Sequence, residues 1–276
     1  MSFYYSDEYL QKRFTGKVAI CTASTNGIGY ATAERLAREG AKVVVSSRRQ
    51  KNVDDAVKRL RDQNLEVSGI VCHQAKKEDR QRLIDFTLTT YGGIDLLFVS
   101  AGVNPHKGHM LGISEKEWDK LFDVNVKSTF LMIRECIPHM IQRGGGAIVS
   151  NATVSALHPN LRMASEYLGP YATSKCAVLG LTKVLASPLA THKIRINCIA
   201  PGAFKTNFLE GTYKQYFPDQ TAVPSFINRA ALMDRTGDPS ECGSVVAFLL
   251  SDDASFITGE ILTVSGGTVL SPAARL

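Results

Sequence analysis

The stretch Val18-Ala-Ile-Cys-Thr-Ala-Ser-Thr-Asn-Gly-Ile-Gly29 predicts a β-strand that runs through a glycine turn into a helix. Residues 18–22 have the apolar composition of a buried strand, and a helix is predicted over residues 27–38, where Gly40 stops it. Small residues at the turn let a phosphate approach the backbone, and the helix start offers free N–H groups and a positive dipole end. The alternative is a tight connection without a ligand. The place of the turn on the first strand–helix unit favours the phosphate site.

The same alternation of short β-branched runs and amphipathic segments continues along the chain. Strands are predicted over residues 18–22, 42–46, 67–71, 96–99, 147–150, 195–199 and 261–264. Helices are predicted over residues 27–38, 50–63, 77–91 and 115–142, and in a segment that carries Tyr171 and Lys175. Nearly continuous apolar strands between helices indicate a parallel sheet covered on both faces. We therefore predict an α/β fold over residues 1–276, a single Rossmann-like, doubly wound domain of about seven parallel strands.

Composition narrows the classes of function. The chain has 276 residues, and an apolar content of 44% with 21% charged residues predicts a globular protein. The net charge of +6 is dispersed, so nucleic acid is not a predicted partner. The six cysteines form no C-x-x-C pair, which indicates free thiols in a reducing compartment and no disulfide framework or metal site. No signal peptide and no apolar run of membrane-spanning length is recognised, so no membrane partner is predicted.

Tyr171 and Lys175 form the strongest candidate for chemistry. On a helix, residues i and i+4 lie on the same face, so a phenol and an ammonium group stand side by side. A nearby positive charge is expected to lower the pKa of the phenol toward the range in which it exchanges protons near neutrality. Such pairs also arise by chance, so this one needs its context.

The end of the second strand bears on the choice of cofactor. Ser47 lies 20 residues after Gly27, where a fold that prefers NAD places a carboxylate on the ribose 2′-hydroxyl. Arg48 and Arg49 follow instead, and a guanidinium group binds a 2′-phosphate in bidentate fashion. The predicted cofactor is NADP(H). The alternative is a solvated arginine pair in a loop.

Together these positions resemble the short-chain dehydrogenase/reductase family from about residue 14 to residue 268. The motifs that carry the resemblance occur in family order and spacing: the glycine turn, Asn125 in residues 122–126, Tyr171-x-x-x-Lys175, Pro201-Gly202 followed by Thr206, and Thr258-Gly259. Residues 43–53 and 71–73, and Ala23 in the glycine turn, are further similar to the peroxisomal NADPH-dependent carbonyl (retinal) reductases of that family.

The resemblance implies a role for each matched residue. Tyr171 would be the general acid–base, and Lys175 would lower the pKa of Tyr171 and bind the nicotinamide ribose. Asn125 would hold a water in a proton relay, or else act as a helix-kinking or capping amide. The implied cofactor contacts, besides Tyr171 and Lys175, are Ala23, Thr25, Asn26, Gly27 and Ile28; Ser47, Arg48 and Arg49; Ser100, Ala101 and Gly102; and Pro201, Gly202, Phe204 and Thr206.

The chain also departs from the family pattern. Ala23 stands at the family's first glycine, and Ser100 stands in a stretch where two asparagines are usual. Thr153 occupies the position of the catalytic serine, with Ser155 as the runner-up, and either residue could instead be a loop hydroxyl that bonds its own backbone. The gap from Thr153 to Tyr171 is longer than usual, and the extra residues are expected to border the substrate cleft.

Segments outside the predicted sheet bear on the substrate and on the cellular location. Residues 1–13 are predicted as an N-terminal extension, 207–235 as a lid over the substrate and 270–276 as a C-terminal tail. The lid is rich in aromatic residues, which favours an apolar or aromatic carbonyl compound, and the predicted substrate contacts are Ser155, Tyr167 and Phe208. The final residues, 274–276, resemble a peroxisomal address, so we expect a peroxisome and its import receptor, with the cytoplasm as the alternative.

The predicted function is NADPH-dependent reduction of ketones or aldehydes, with aromatic ketones, dicarbonyls and retinal-like carbonyls as candidate substrates. The resemblance also implies a homotetramer. The alternative is a catalytically weakened relative that binds NADP(H) as a sensor or scaffold, and Thr153, Ser100 and the cleft insertion motivate it.

Overall fold

The computed structural model describes residues 12–106, 108–158, 168–216 and 231–268, with the backbone alone for residues 212–216. The described chain contains a seven-stranded parallel sheet in the order β3-β2-β1-β4-β5-β6-β7, which confirms the predicted α/β, Rossmann-like fold. Its strands are β1 Val18–Thr22, β2 Lys42–Ser47, β3 Val67–Val71, β4 Leu96–Val99, β5 Gly146–Asn151, β6 Ile194–Pro201 and β7 Ile261–Val264.

The helices follow the predicted alternation, with differences at their ends. They are α1 Gly27–Arg38, α2 Gln50–Arg61, α3 Lys77–Tyr91, α4 Glu115–Phe122, α5 Ser128–Gln142, α6 Val154–Leu157, α7 Gly169–Ala190, α8 Asn207–Tyr216 and α9 Pro239–Leu250. The predicted helix over residues 50–63 ends earlier, and Asn64 turns the chain in the left-handed region at φ 60°. The predicted long helical region over residues 115–142 is helical throughout but not one regular α-helix, because Asp123–Lys127 forms a π-helical segment between α4 and α5.

Both faces of the sheet are covered, as the apolar strands predicted. Alternate residues of a strand point to opposite faces, and β1 shows this directly. Ala19 belongs to the cluster formed with α1 and α9, whereas Ile20 belongs to the cluster formed with α3 and α5. Fully burying a side chain such as Ile20 contributes roughly 1.5–3 kcal/mol to folding. The two-sided core therefore fixes the sheet as a rigid platform.

The strand order reverses at β1, which lies between β2 and β4. Ligands of open parallel sheets bind in the crevice beside the carboxyl ends of the strands at such a reversal. The glycine turn follows β1, and the segments after β4, β5 and β6 leave the same edge of the sheet. Most predicted site residues lie in these segments.

Two other properties of the described residues bear on the sequence predictions. All six cysteines lie within the described ranges and all are free thiols, with Cys176 alone exposed. Over the same ranges, no helix has both the length and the apolar content to cross a membrane.

Candidate active site

The glycine turn after β1 has the backbone shape that a phosphate site needs. Ala23 and Gly27 both adopt left-handed backbone angles, with φ of 49° and 55°. A Cβ added to Gly29 would come within 2.5 Å of the main-chain oxygen of Ala23, so only glycine fits there. Asn26 precedes α1 without capping it through its side chain, and the first turn of α1 holds no acidic residue. Ile28 packs against the core. The first-turn N–H groups of a helix have no partner within the helix, which suits an anion at this position.

A buried serine fixes this turn to the neighbouring strand. Ser24 Oγ donates to the main-chain oxygen of Cys21 at 2.5 Å and accepts from the main-chain N–H of Ser46 at 3.2 Å. Thr25 is also buried, and its carbonyl accepts a hydrogen bond from Arg59 at 3.0 Å. The turn is therefore held by contacts to β2 and α2 before any ligand binds.

The segment after β6 lies over the glycine turn. A Cβ added to Gly27 would be 3.0 Å from the methyl carbon of Thr206. The Thr206 hydroxyl donates to the carbonyl of Phe204 at 3.3 Å and accepts from the N–H of Leu209 at 3.2 Å, which caps α8. Phe204 is buried and forms a parallel bridge with Gly237. Thr206 thus lies against the glycine turn, and its contact with a pyrophosphate stays a prediction.

Pro201 is the last residue of β6, and Gly202 follows it beside β7. The N–H of Gly202 donates to the carbonyl of Val264 at 2.9 Å. A Cβ added to Gly202 would come within 2.9 Å of the Ser265 side chain, so a larger residue would push the two segments apart. The predicted contact of this segment with a nicotinamide carboxamide stays a prediction.

The predicted 2′-phosphate site lies at the end of β2. Ser47 is the last residue of that strand and is half-buried, and Arg48 and Arg49 are exposed. Within the described part of the chain, no ion pair engages either guanidinium group. Both groups are therefore available to an anion at this edge of the sheet.

Tyr171 and Lys175 lie on the first turns of α7, and both are buried. The Lys175 amine stands 5.8 Å from the centroid of the Tyr171 ring and donates to the main-chain oxygen of Asn151 at 2.7 Å. Burial lowers the pKa of Lys175 to about 8, and nearby Cys198 opposes this shift. Burial raises the pKa of Tyr171. The expectation that the pKa of Tyr171 lies below its ordinary value was wrong for this structure, because burial disfavours the phenolate and raises that pKa.

Asn125 lies fully buried in the π-helical segment Asp123–Lys127. Its side-chain oxygen accepts from the N–H of Val103 at 2.8 Å, and its amide nitrogen donates to the carbonyl of Val103 at 3.0 Å and to Ser174 Oγ at 2.9 Å. Ser174 Oγ in turn donates to the carbonyl of Tyr171 at 2.7 Å. The side chain thus clamps the segment after β4 to α7. A proton-relay role for Asn125 stays a prediction.

Ser100, Ala101 and Gly102 follow β4 and are half-buried, and Gly102 lies beside the Lys175 amine. A Cβ added to Gly102 would be 3.3 Å from Lys175 Nζ and 3.7 Å from Asn125 Oδ1. A side chain at residue 102 would therefore require the lysine amine to move by a few tenths of an ångström. The structure therefore brings these predicted cofactor residues together with the predicted catalytic pair.

Thr153 caps the short helix α6. Its hydroxyl accepts from the N–H of Ser155 at 3.3 Å and is 3.5 Å from the carbonyl of Pro201, to which it donates. The bond to its own backbone was the alternative interpretation, and it is present. Ser155 lies half-buried on α6. Which of the two hydroxyls contacts a substrate stays a prediction.

The described part of the predicted lid contributes one aromatic contact to the site. The Phe208 ring lies 5.4 Å from the Tyr171 ring, with an angle of 40° between their planes. Phe208 is partly exposed, so it offers an apolar surface next to the phenol. Residues 159–167, which include Tyr167, and residues 217–230 lie outside the described residues. So do residues 1–11 of the predicted extension and the whole of the predicted tail.

Three residues that hold the site together were not predicted from the sequence. These are Ser24, Ser174 and Asn151. The only local signal was that each is a small polar residue next to a predicted site residue or at the end of a strand.

The parallel sheet, the glycine turn and the buried tyrosine–lysine helix define an α/β oxidoreductase of the dinucleotide-binding type. Residues 22–269 match the family model described as Enoyl-(Acyl carrier protein) reductase. With the relatives below, this match shows that the chain belongs to the short-chain dehydrogenase/reductase family.

The chain is similar to proteins named Dehydrogenase/reductase SDR family member 4. The protein of Sus scrofa is 46% identical over 94% of this chain and 89% of its own length. The Homo sapiens protein is 46% identical over 91% of this chain and 87% of its own length. The Caenorhabditis elegans protein is 45% identical over 93% of this chain and 96% of its own length.

Proposed function

We propose that this protein reduces ketones or aldehydes with NADPH, and that Tyr171 supplies the proton to the carbonyl oxygen. The observation that carries the proposal is the buried Tyr171 phenol, one helical turn from the Lys175 amine, at the carboxyl end of β5. Burial keeps the phenol protonated at neutral pH, as a proton donor must be.

The residues at the sheet edge fit a dinucleotide. The left-handed turn at Ala23 and Gly27, together with the cradle that a Cβ on Gly29 would fill, suits a pyrophosphate at the start of α1. Arg48 and Arg49 would hold the 2′-phosphate, which supports NADP(H) over NAD(H). When bound, the nicotinamide supplies the hydride that reaches the carbonyl carbon.

The residues of this chain supply the proton and the electrostatic setting. Tyr171 donates a hydrogen bond to the substrate oxygen and transfers its proton there, which yields the alcohol. With a pKa of about 8, the Lys175 amine is largely protonated at neutral pH, and its charge favours the phenolate that Tyr171 leaves behind. Thr153 supplies a second hydroxyl that orients the carbonyl, with Ser155 as the alternative. Asn125 holds the segment after β4 against α7 so that these groups keep their places.

The apolar wall beside the phenol supports an apolar substrate. Phe208 packs against Tyr171 and stays partly exposed, which suits an aromatic ketone, a dicarbonyl or a retinal-like carbonyl.

The test is the loss of absorbance of the reduced nicotinamide, with NADPH and then NADH, over these carbonyl classes. Because the family model names an enoyl reductase, an α,β-unsaturated thioester belongs in the panel. Tyr171→Phe should abolish turnover, whereas Tyr91→Phe, which removes a phenol bonded to Ser68 on β3, should retain it. NADPH binding without turnover on any substrate would contradict the proposal and favour the sensor or scaffold.

We also propose a homotetramer, on two exposed apolar surfaces. The first is a groove of about 870 Å³ formed by α4, the π-helical segment, α5 and α7. Its lining is mostly apolar and includes charged residues of both signs. Two copies of this surface can therefore pair across a two-fold axis, with apolar contacts between them and opposite charges facing each other. Its lining residues are Trp118, Asp119, Lys120, Phe122, Asp123, Val126, Lys127, Phe130 and Leu181.

The second surface lies at the edge strand β7, where Leu262 is exposed and Phe256 is fully exposed nearby. Two different self-complementary surfaces generate a tetramer. Light scattering on Phe130→Glu and on Phe256→Glu should show smaller assemblies, whereas Leu111→Ser, at an exposed apolar residue outside both surfaces, should not. A monomer in the unaltered protein would contradict the proposal.

Residues 274–276 support a proposed peroxisomal location, with the cytoplasm as the alternative. The full chain fused at its N-terminus to a fluorescent protein should enter peroxisomes, and removal of those residues should return it to the cytoplasm.

A further inference from the structure

Hydrogen bonds link β1 to α7 across the carboxyl edge of the sheet. The N–H of Ser100 donates to Thr22 Oγ1 at 3.1 Å, Asn151 Nδ2 donates to Ser100 Oγ at 3.2 Å, and Lys175 Nζ donates to the main-chain oxygen of Asn151 at 2.7 Å. We call these contacts the transverse chain. It joins the strand that leads into the glycine turn to the amine of the predicted catalytic pair.

The transverse chain begins where the strand ladder ends. The last paired residues are Thr22 with Val99 between β1 and β4, and Val99 with Ser150 between β4 and β5. One residue further on along β4 and β5, Ser100 donates its N–H to the Thr22 side chain and accepts from the Asn151 side chain, so side-chain groups join the separating segments. The side chains thus continue the cross-links of the sheet into the crevice.

The longer side chain of Asn151 compensates for the short side chain of Ser100. Ser100 stands in a stretch where the family usually carries asparagines, and its side chain is shorter than an asparagine. The amide comes from β5 instead, because Asn151 extends toward Ser100.

Stability alone does not account for Asn151. Its Oδ1 atom is buried without a partner among the described residues, so Ser100 is the only described partner of its amide. A buried amide with an unsatisfied oxygen is unfavourable compared with an apolar side chain of similar size. A role in placing another group explains why the amide is there.

We propose that Ser100 and Asn151 are positioning residues that hold the Lys175 amine at its place beside Tyr171. The inference rests on the proposed function, because it assigns Lys175 a part in the same reaction. The other titratable groups beside the amine are Tyr171 on its own helix and Cys198 on β6, and neither accepts its hydrogen bond. The main-chain oxygen of Asn151 is therefore the contact that fixes the amine.

The experiment measures Lys175 itself as well as turnover. The variants are Ser100→Ala, Ser100→Thr and Asn151→Leu, and each full-length protein is acetylated at lysine under competitive conditions and analysed by peptide mass spectrometry. Thr87→Val is the matched control, because it removes a buried hydroxyl that, among the described residues, bonds the carbonyl of Leu83 on its own helix α3. Thermal unfolding and the pH profile of kcat/KM with NADPH are recorded for every variant.

We expect Ser100→Ala and Asn151→Leu to raise the acetylation rate of Lys175 several-fold and to lower kcat/KM roughly tenfold to a hundredfold. Ser100→Thr keeps the hydroxyl and should recover most of that loss. Thr87→Val should lower the unfolding midpoint without changing the acetylation of Lys175.

Unchanged acetylation of Lys175 in both Ser100→Ala and Asn151→Leu would overturn the inference, even if stability fell. If the unaltered protein reduces no carbonyl compound, the proposed function fails, and the acetylation measurement still decides whether the transverse chain holds the amine.

Discussion

The methyl group of Thr206 lies directly against Gly27, so a Cβ on Gly27 would be only 3.0 Å from it. The segment after β6 and the turn after β1 are therefore in contact although they are far apart in the sequence. Gly27 also has a left-handed φ of 55°. The contact with Thr206 and the left-handed backbone angle both disfavour a side chain at Gly27, and mutations can separate their effects.

Gly27→Ala should weaken NADPH binding more than backbone strain alone explains. Gly16→Ala is the matched control, because Gly16 also has a left-handed φ but has no atom within 4 Å of an added Cβ. We expect a loss of about 1–2 kcal/mol of stability in Gly16→Ala and a larger loss in Gly27→Ala. NADPH affinity, measured by fluorescence titration, should fall only in Gly27→Ala, and Thr206→Ser should partly restore it by removing the methyl group. Equal effects of both glycine variants on NADPH binding would contradict the contact.

Ala23→Gly should stabilise the protein. Ala23 has a left-handed φ of 49°, which is unfavourable for a residue with a Cβ. Relief of that strain outweighs the added entropy of the unfolded chain, and the expected net gain is up to about 1 kcal/mol. Chemical denaturation measures it, with Ala33→Gly inside α1 as a control that should destabilise by about 1 kcal/mol. A loss of stability in Ala23→Gly would show that the turn carries no strain.

Arg48→Ala should reduce the preference for NADPH over NADH. Loss of a charge-assisted hydrogen bond to the 2′-phosphate should lower kcat/KM with NADPH by roughly tenfold to a hundredfold. kcat/KM with NADH should stay within about twofold, because NADH lacks that phosphate. Lys51→Ala removes a nearby charge that is bonded to Asp55, and it should leave the cofactor preference unchanged. If Arg48→Ala and Lys51→Ala lost the preference for NADPH to the same extent, the preference would come from a general attraction between basic residues and the phosphate, and not from a specific Arg48 contact.

The stability difference between the unaltered protein and Lys175→Met should depend on pH. The pKa of Lys175 is about 8 in the folded state and 10.5 in its unperturbed state. Between these values the unfolded chain holds a proton that the folded chain has lost, so stability rises with pH over that window. We expect the unaltered protein to gain about 2 kcal/mol relative to Lys175→Met from pH 8 to pH 10.

The titrations of groups away from residue 175 occur in both proteins and cancel in this difference, whereas those of Tyr171 and Cys198, which lie beside the amine, cancel only in part. The measurement is urea unfolding of cofactor-free protein at several pH values. Parallel pH curves for the two proteins would contradict the burial of a titrating amine.

Thr153→Ala should lower kcat/KM by about a hundredfold, whereas Thr153→Ser should retain most of it. The hydroxyl also caps α6, so Thr153→Ala should lose about 1 kcal/mol of stability as well. Ser155→Ala should leave kcat/KM close to that of the unaltered protein. Steady-state kinetics would assign the role to Ser155 if the two alanine variants showed the opposite order.

Much of the fold follows from the sequence, because a parallel sheet covered on both faces needs apolar strands and turns with small residues. The π-helical segment Asp123–Lys127 could not be predicted from the sequence, since its pattern of apolar and polar residues does not differ from that of an α-helix. Ser174 and Asn151 were missed because their partners lie on other elements. The pKa of Tyr171 shifts in the opposite direction to the one expected, because spacing along a helix does not reveal how deeply the helix is buried.

The π-helical segment sets the relative rotation of the two halves of a long helix. Each residue of an α-helix advances the chain by about 100°, so one extra residue in a turn rotates everything after it by about that angle. Asn125 can therefore point at Ser174 on α7 while Met132 and Ile133 of α5 stay in the core. Deletion of one residue here would force a choice between aiming the amide at the site and keeping the core filled.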